Sequence, residues 1–151
     1  MMSLTTLARI AVIAAMTALA GCSGGGLSDG LTQRMDQGNV QLNRAEALGI
    51  INAYRATVGA PALVDDPALD ITATTLASTY AKTGRQGSRP DGTLEVRYSA
   101  GYATFAETFS GWRNSSQESQ VMHGKTATRA GLAVVYEPTS PYGVYWVVIV
   151  A

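Results

Sequence analysis

The chain is poor in the residues that form covalent cross-links and metal sites. Cys22 is the only cysteine among 151 residues, so neither an intrachain disulfide nor a metal site built from several thiolates can form. The core must therefore be held by packing alone. His123 is likewise the only histidine. A Ser–His–Asp hydrolase would have to use His123, and no nucleophile motif surrounds it.

The chain also lacks an excess of charge of either sign. Eleven Lys and Arg residues balance eleven Asp and Glu residues, and no basic run stands out. Because basic patches supply most of the affinity of proteins for phosphate backbones, nucleic acid is not an expected partner.

A long hydrophobic run is missing as well. The apolar segment 10–19 is about half the ~20 residues that a membrane-spanning helix needs. It follows a short basic start and ends in small residues, which is typical of a signal peptide. The quartet Leu19-Ala20-Gly21-Cys22 resembles the bacterial lipobox, in which the cysteine receives a diacylglyceryl group. This pattern predicts lipidation of Cys22. The alternative is an uncleaved amino-terminal anchor with an incidental cysteine.

The lipobox also predicts the organisation of the chain and its location. Residues 1–21 are expected to be a lipoprotein signal peptide, 22–40 a flexible tether and 41–151 a single domain, because 151 − 21 = 130 residues suffice for one domain. We expect a bacterial envelope protein that is attached to a membrane through its lipid. Ser23 replaces the aspartate that favours inner-membrane retention, so the outer membrane, facing the periplasm, is favoured over the inner membrane.

Two amphipathic helices are predicted in the first half of the domain. One begins near Leu42, where Asn43 and Glu46 have the spacing of a capping box, and ends at Gly59. The other begins at Asp66-Pro67 and ends at Gly84. Both helices need a common core to cover their apolar faces.

The second half predicts a small sheet. Residues 84–101 are expected to be mostly loop, and residues 103–109 alternate loosely. Residues 131–136 and 144–150 have the composition of short strands, with turn residues between them. The last segment is apolar at every position, so it must be covered on both faces. We therefore predict an α+β fold, a three-layer α–β–α sandwich in which helices cover both faces of a small antiparallel sheet.

Landmark residues run in a fixed order from the first helix to the last strand: Ile51-Asn52-Ala53-Tyr54-Arg55, Pro61, Leu63, Asp66-Pro67, Ala68, Leu69, Ser88-Arg89-Pro90-Asp91-Gly92, Glu107, Trp112, Asn114-Ser115, Gly131 and Tyr145-Trp146-Val147. This set resembles the CAP superfamily of cysteine-rich secretory proteins, antigen 5 and pathogenesis-related proteins 1. The resemblance covers residues 42 to 150. It implies a cleft with two histidines and one or two glutamates, a donor set that suits a divalent metal such as zinc.

The residues at the matching cleft positions depart from that pattern. The first family histidine falls at Gly87, and the second falls at Glu118 whether counted from Trp112 or back from Gly131. The family glutamate matches Glu107. Glu107, Glu118 and the neighbouring Ser88 are therefore the cleft candidates. For Glu107, the alternative is a carboxylate that only accepts hydrogen bonds from backbone amides.

His123 does not take the place of the lost histidines. It lies five positions beyond Glu118, about 140° away on a helix, and is expected to be a surface or capping residue. A metal or catalytic role for His123 stays a minor alternative. No cofactor is expected, and a divalent metal is disfavoured without being ruled out.

Three functions remain open. The first is a non-catalytic binding or structural module with a lipid, a peptide or a cell-wall component as its ligand. The second is a metal-dependent hydrolase with a rearranged Glu/His cleft. The third is an envelope protein that acts only through protein partners.

Overall fold

The computed structural model describes residues 29–115 and 119–151. The lipidation site predicted at Cys22 and the cleft candidate Glu118 lie outside these residues. Within them, no helix is both long and apolar enough to cross a membrane.

Five helices and four strands follow one another in the described residues. In chain order they are α1 (Asp29–Thr32), α2 (Arg44–Thr57), β1 (Val64–Asp65), α3 (Pro67–Thr83), β2 (Glu95–Ala100), α4 (Phe105–Asn114), α5 (Gln120–His123), β3 (Arg129–Tyr136) and β4 (Val144–Val150).

The four strands form one sheet in the order β1-β3-β4-β2. β4 lies antiparallel to both of its neighbours, with Leu132 and Arg97 both opposite Val148. β1 pairs with β3 in parallel over two residues. The predicted sandwich is confirmed, whereas the prediction of an antiparallel sheet needs one correction at this short edge. The parallel pairing arises in the segment that leads into α3. There the Asp66 N–H donates to the Ala130 carbonyl of β3 at 2.9 Å.

β4 is the central element of the core, and every one of its residues is buried. Val144, Trp146, Val148 and Val150 pack on the side of α2, α4 and α5. Val147 and Ile149 pack on the other side, under α3. The prediction that this strand is covered on both faces is confirmed.

The two helices predicted first have the expected ends. Asp66 accepts from Ala68 N–H and Leu69 N–H at the start of α3, and Gly84 ends the helix in the left-handed region with φ 69°. Asn43 accepts from Glu46 N–H at the start of α2. Side-chain caps of this kind satisfy amides that have no partner within the helix.

Three local predictions are wrong. Residues 95–100 form β2 instead of a loop, because this segment pairs with β4 along its whole length. Residues 105–109 belong to α4 instead of alternating as a strand. The tether predicted over 22–40 does not extend to residue 40. Met35 is only 2% exposed in the core, and its N–H donates to the Ala103 carbonyl at 2.7 Å.

Candidate functional site

Arg55 on α2 fixes the position of α5. Its side chain is fully buried, and this burial lowers its pKa. At its ordinary pKa, an arginine side chain is charged at neutral pH. All five of its N–H donors find a carbonyl oxygen at 2.7 to 3.3 Å. The acceptors are Pro61, Gln120, Val121, Gly124 and Ala127. Because the carbonyls of a four-residue helix have no partner within it, Arg55 stabilises both α5 and the segment that follows.

The amino-terminal side of α5 is held by a second polar group on β2. Glu95 Oε2 accepts from Ser119 Oγ at 3.0 Å and from Val121 N–H at 2.9 Å. Arg97 lies two residues along the same strand face, with Nε 3.8 Å from Glu95 Oε1. Its guanidinium also donates to Ser115 Oγ. Glu95 and Arg97 thus hold both ends of the segment that contains position 118.

Sequence reasoning missed Glu95 and Arg97 because their segment was taken for a loop. The signal was the alternation Glu95, Arg97 and Ser99 against Val96 and Tyr98. In a strand, that alternation places the polar side chains on one face and the apolar ones on the other. Val96 and Tyr98 pack under α3, as this pattern requires.

Position 87, which matches the first family histidine, is occupied by glycine, and the ends of two side chains crowd the space beside it. A β-carbon on Gly87 would stand 2.9 Å from Leu76 Cδ2 and 3.1 Å from the Tyr98 hydroxyl oxygen. Burial raises the pKa of Tyr98, so its hydroxyl stays neutral. Ser88, the next residue, is exposed to solvent.

Glu107 lies on the outside of α4, where it forms a capping box. Glu107 Oε2 accepts from Thr104 N–H at 3.0 Å and from Thr104 Oγ1 at 2.8 Å, while Glu107 N–H donates back to Thr104 Oγ1. These bonds lower the pKa of Glu107. The side chain therefore carries a fixed negative charge on an exposed surface, as the backbone-bonding alternative anticipates.

His123 is half-buried against α2 instead of lying on the surface. Its Nε2 is 3.0 Å from the Tyr54 hydroxyl, and the two rings meet edge to face with centroids 5.6 Å apart. Its Nδ1 is buried and has no hydrogen-bond partner in the described part of the chain. The contacts of His123 are thus separate from those of Glu107 and Glu95.

The residues that the structure describes do not provide a metal site. Within 29–115 and 119–151, no three His, Cys, Asp or Glu side chains lie close enough to hold an ion. Gly87 offers no donor, Glu107 is used by Thr104, and His123 Nε2 faces Tyr54. This donor set does not fit the divalent metal that the family resemblance implies.

The surface of the described residues includes several shallow depressions. One of about 550 Å³ runs between Tyr102 and α4, and Glu107 is part of its wall. Two others, of about 340 and 400 Å³, lie on either side of Arg44. A fourth, of about 320 Å³, lies beside the turn between β3 and β4. None of them is lined by Ser88, His123 or Glu95.

Comparison with known proteins relates the fold to solved structures. A crystal structure of MpPR-1i soaked with selenourea is similar at 15% identity with a TM-score of 0.55, over 71% of this chain and 88% of that one. A further crystal structure of MpPR-1i matches at 19% identity with a TM-score of 0.48, over 71% and 83% of the two chains. No curated protein matches the chain. The likeness to the first of these structures, at 15% identity, shows the fold alone and leaves the activity open.

The family assignment comes from the sequence model of CAP, described as the cysteine-rich secretory protein family, which matches residues 48–150. The match begins inside α2 and ends at the last residue of β4, so it includes the whole sheet and its covering helices. The chain belongs to the CAP family of cysteine-rich secretory proteins.

Proposed function

We propose that this protein is a lipid-anchored bacterial envelope protein whose CAP domain serves as a binding or structural module and catalyses no reaction. The observation that carries the proposal is made at Gly87. Glycine, which has no donor side chain, occupies the position that matches the first family histidine, and Leu76 and the neutral hydroxyl of Tyr98 pack beside it. An imidazole could enter there only if this packing were displaced.

Two of the described carboxylates support the same conclusion. Glu95 accepts hydrogen bonds from Ser119 and Val121, so it stabilises the segment before α5. Glu107 accepts from Thr104, so it stabilises the first turn of α4. Each carboxylate thus has a structural role, and no group of three His, Cys, Asp or Glu side chains within the described residues could hold a metal ion.

The anchor is proposed from the lipobox at Cys22. Met35 is already part of the core, so only a short stretch of chain separates the lipidation site from the domain. The eight steps from Cys22 to Gly30 span at most roughly 30 Å even when fully extended. The domain would therefore stay close to the membrane, with the periplasm as the favoured compartment. A lipid, a peptide or a cell-wall component remains the proposed ligand, and no cofactor or nucleic acid is proposed.

Zinc titration tests the absence of catalysis. We expect that calorimetry on the purified protein detects no stoichiometric zinc binding, and that a chelator leaves the unfolding midpoint unchanged. Glu107→Gln, Glu95→Gln and His123→Ala serve as matched variants. Stoichiometric binding that any one of them abolishes would support a metal-dependent hydrolase instead.

Membrane fractionation tests the anchor. The wild-type protein should be recovered in the outer-membrane fraction, and its mass should include the acyl chains. Cys22→Ser should remove both the added mass and the membrane attachment, whereas Ser23→Ala should leave both unchanged. An unmodified wild-type protein in the soluble fraction would contradict the proposal.

A further inference from the structure

The groove between Tyr102 and α4 has the shape of a ligand site. Its walls are the Tyr102 ring on one side and two rows of α4 residues on the other: Ala106, Ser110 and Asn114 in the first row, and Glu107 and Gly111 in the second. Its volume of about 550 Å³ lies within the range typical of small-molecule pockets. Three of the helix residues are small, so the ring remains uncovered.

The aromatic wall is exposed, but the backbone that carries it is anchored. Tyr102 is 42% exposed, yet its carbonyl oxygen accepts from the indole N–H of the buried Trp146 at 2.9 Å. The ring lies beside Gly111, 3.6 Å from where a β-carbon would stand. Glycine is unfavourable inside a helix, and here it leaves open the space in front of the ring. An anchored backbone and a side chain with only two rotatable bonds limit the ordering cost of binding.

The polar groups of the groove suit hydroxyl groups. Glu107 is held by Thr104 through two of its roughly four acceptor positions, which leaves capacity to accept from a ligand. Ser110 supplies a hydroxyl, and Asn114 supplies both a donor and an acceptor. All three side chains project from one helix whose opposite face is anchored by Phe105 and Trp112.

The charge of the groove selects among ligand classes. Neither Lys nor Arg lines it, and Glu107 is ionised because the pKa of this residue is lowered by Thr104. Arg34, which lies near enough to act on Glu107, is itself paired with Asp36. An anionic ligand would therefore be repelled. A lipid tail would meet an ionised carboxylate in a site that is open to water.

We propose that this groove binds a sugar ring of an uncharged glycan. A pyranose has an apolar C–H face that stacks on the negative face of an aromatic ring, and an edge of hydroxyls that bonds to carboxylate, amide and hydroxyl groups. The proposal rests on the binding role proposed above and gives it a ligand class. Of the described residues that match the family's cleft, Glu107 lines the groove and Gly87 does not.

The test is a titration of the purified protein with N-acetylchitotriose, cellotriose and maltotriose, followed by calorimetry and by NMR shifts of the Tyr102 and Gly111 amides. We expect at least one triose to bind with a dissociation constant in the millimolar range or below. Tyr102→Ala should weaken that binding at least tenfold, and Tyr102→Phe should change it less than threefold. Gly111→Leu fills the groove and should abolish binding without lowering the unfolding midpoint. Tyr142→Ala removes another exposed tyrosine and should have no effect.

Three results would overturn the proposal: no binding of any triose to the folded wild type, binding that survives both Tyr102→Ala and Gly111→Leu, or an equal loss in Tyr142→Ala. Binding of inorganic phosphate or of phosphatidylcholine vesicles that is sensitive to Tyr102, in place of the trioses, would assign the groove to another ligand. Zinc-dependent activity would contradict the proposed function alone, since the triose titration does not depend on it.

Discussion

The two faces of the sheet are covered in different ways. On one face, α3 presents Ala73 and Ala77 to Ala133, Val147 and Ile149. Small side chains allow this helix to lie very close to the sheet. Gly131 marks the closest approach, because a β-carbon there would stand 2.2 Å from the Leu69 carbonyl carbon and 2.5 Å from Asp70 N.

The other face is covered by short elements and large side chains. Phe105, Trp112 and Trp146 fill the space between the sheet and the helices, and their rings pack edge to face or tilted. Buried or half-buried charged groups join the pieces. Arg55 donates to two carbonyls of α5 and to two of the segment that follows it, and Glu95 holds the segment before it.

The two faces therefore differ in their structural roles. The α3 face supports the fold, and the opposite face carries the loops at the surface. A long helix pressed on a sheet by apolar contacts is rigid and offers few polar groups. The opposite face depends on side-chain hydrogen bonds to loop backbone, so its loops can differ while the sheet is retained. The groove at Tyr102 lies along α4, beside this second face, whereas Gly87 packs against Leu76 and Tyr98 on the first face.

The largest effect should come from Arg55, which the second face needs most. Arg55→Ala removes the donor of five carbonyl oxygens, of which, within the described residues, only that of Gln120 keeps another, the Gly124 N–H. A buried carbonyl without a donor costs about 1–3 kcal/mol, so the loss of several should cost at least about 3 kcal/mol. We expect a decrease of that size in the free energy of unfolding, measured by urea denaturation, together with early loss of amide protection at Val121 and Met122.

Arg113→Ala is the matched control for this change. Arg113 is an exposed arginine, and its removal should change stability by less than about 0.5 kcal/mol. A cost below about 1 kcal/mol for Arg55→Ala would mean that water replaces the guanidinium, and the two faces would then depend on polar groups to a similar extent.

The next largest effect should come from Gly131, where α3 lies closest to the sheet. Gly131→Ala forces its β-carbon against the backbone of Leu69 and Asp70, which cannot rotate away. Overpacking of a core costs about 1–3 kcal/mol. Gly49→Ala is the control, because nothing lies within 4 Å of the new β-carbon in α2. It should stabilise the protein by roughly 0.5–1 kcal/mol. If Gly131→Ala is as harmless as Gly49→Ala, the first face is less tightly packed than its geometry indicates.

Much of the first face could be predicted from the sequence. Asp66-Pro67 and Gly84 are strong local signals for the ends of a helix, and the apolar run 144–150 can only be a strand covered on both faces. β1 is only two residues long, and both are exposed, so the sequence contains no strand pattern there. Its parallel pairing depends on where α3 begins.

The second face was harder to predict because its determinants act across long distances. Nothing near Arg55 in the sequence indicates that four of its five acceptors lie 65 to 72 residues away. The capping box at Thr104 and Glu107 was visible in the spacing, yet the family resemblance assigned Glu107 to the cleft instead. The first face has a case of this kind as well, because the packing of Gly87 against Leu76 and Tyr98 depends on β2, which was taken for a loop.

A smaller effect is expected at the capping box of α4. Thr104→Ala removes the side chain that accepts from Glu107 N–H and donates to its carboxylate. Loss of such a cap costs about 1 kcal/mol. The pKa of Glu107 should also rise toward its ordinary value, because Thr104 is the main cause of its decrease. NMR titration of the Glu107 carboxyl carbon measures the second effect, and Thr104→Ser should show neither. An unchanged pKa in Thr104→Ala would mean that Arg34 or the Ala103 amide fixes the charge.

The smallest effect should be a pH dependence at Asp70, which lies where the two faces meet. Its Oδ1 accepts from Leu132 N–H at 2.8 Å and its Oδ2 is 3.5 Å from Arg44 Nε, yet burial outweighs both and raises its pKa. As the pH falls through this raised pKa toward the unfolded value near 4, the native state takes up a proton that the unfolded chain does not. The contribution of Asp70 to stability therefore grows as the pH falls. Urea denaturation from about pH 7 to about pH 4 should show the wild type gaining stability relative to Asp70→Asn. The opposite trend would mean that Arg44 outweighs burial, and that an ion pair, as on the second face, also helps to hold α3.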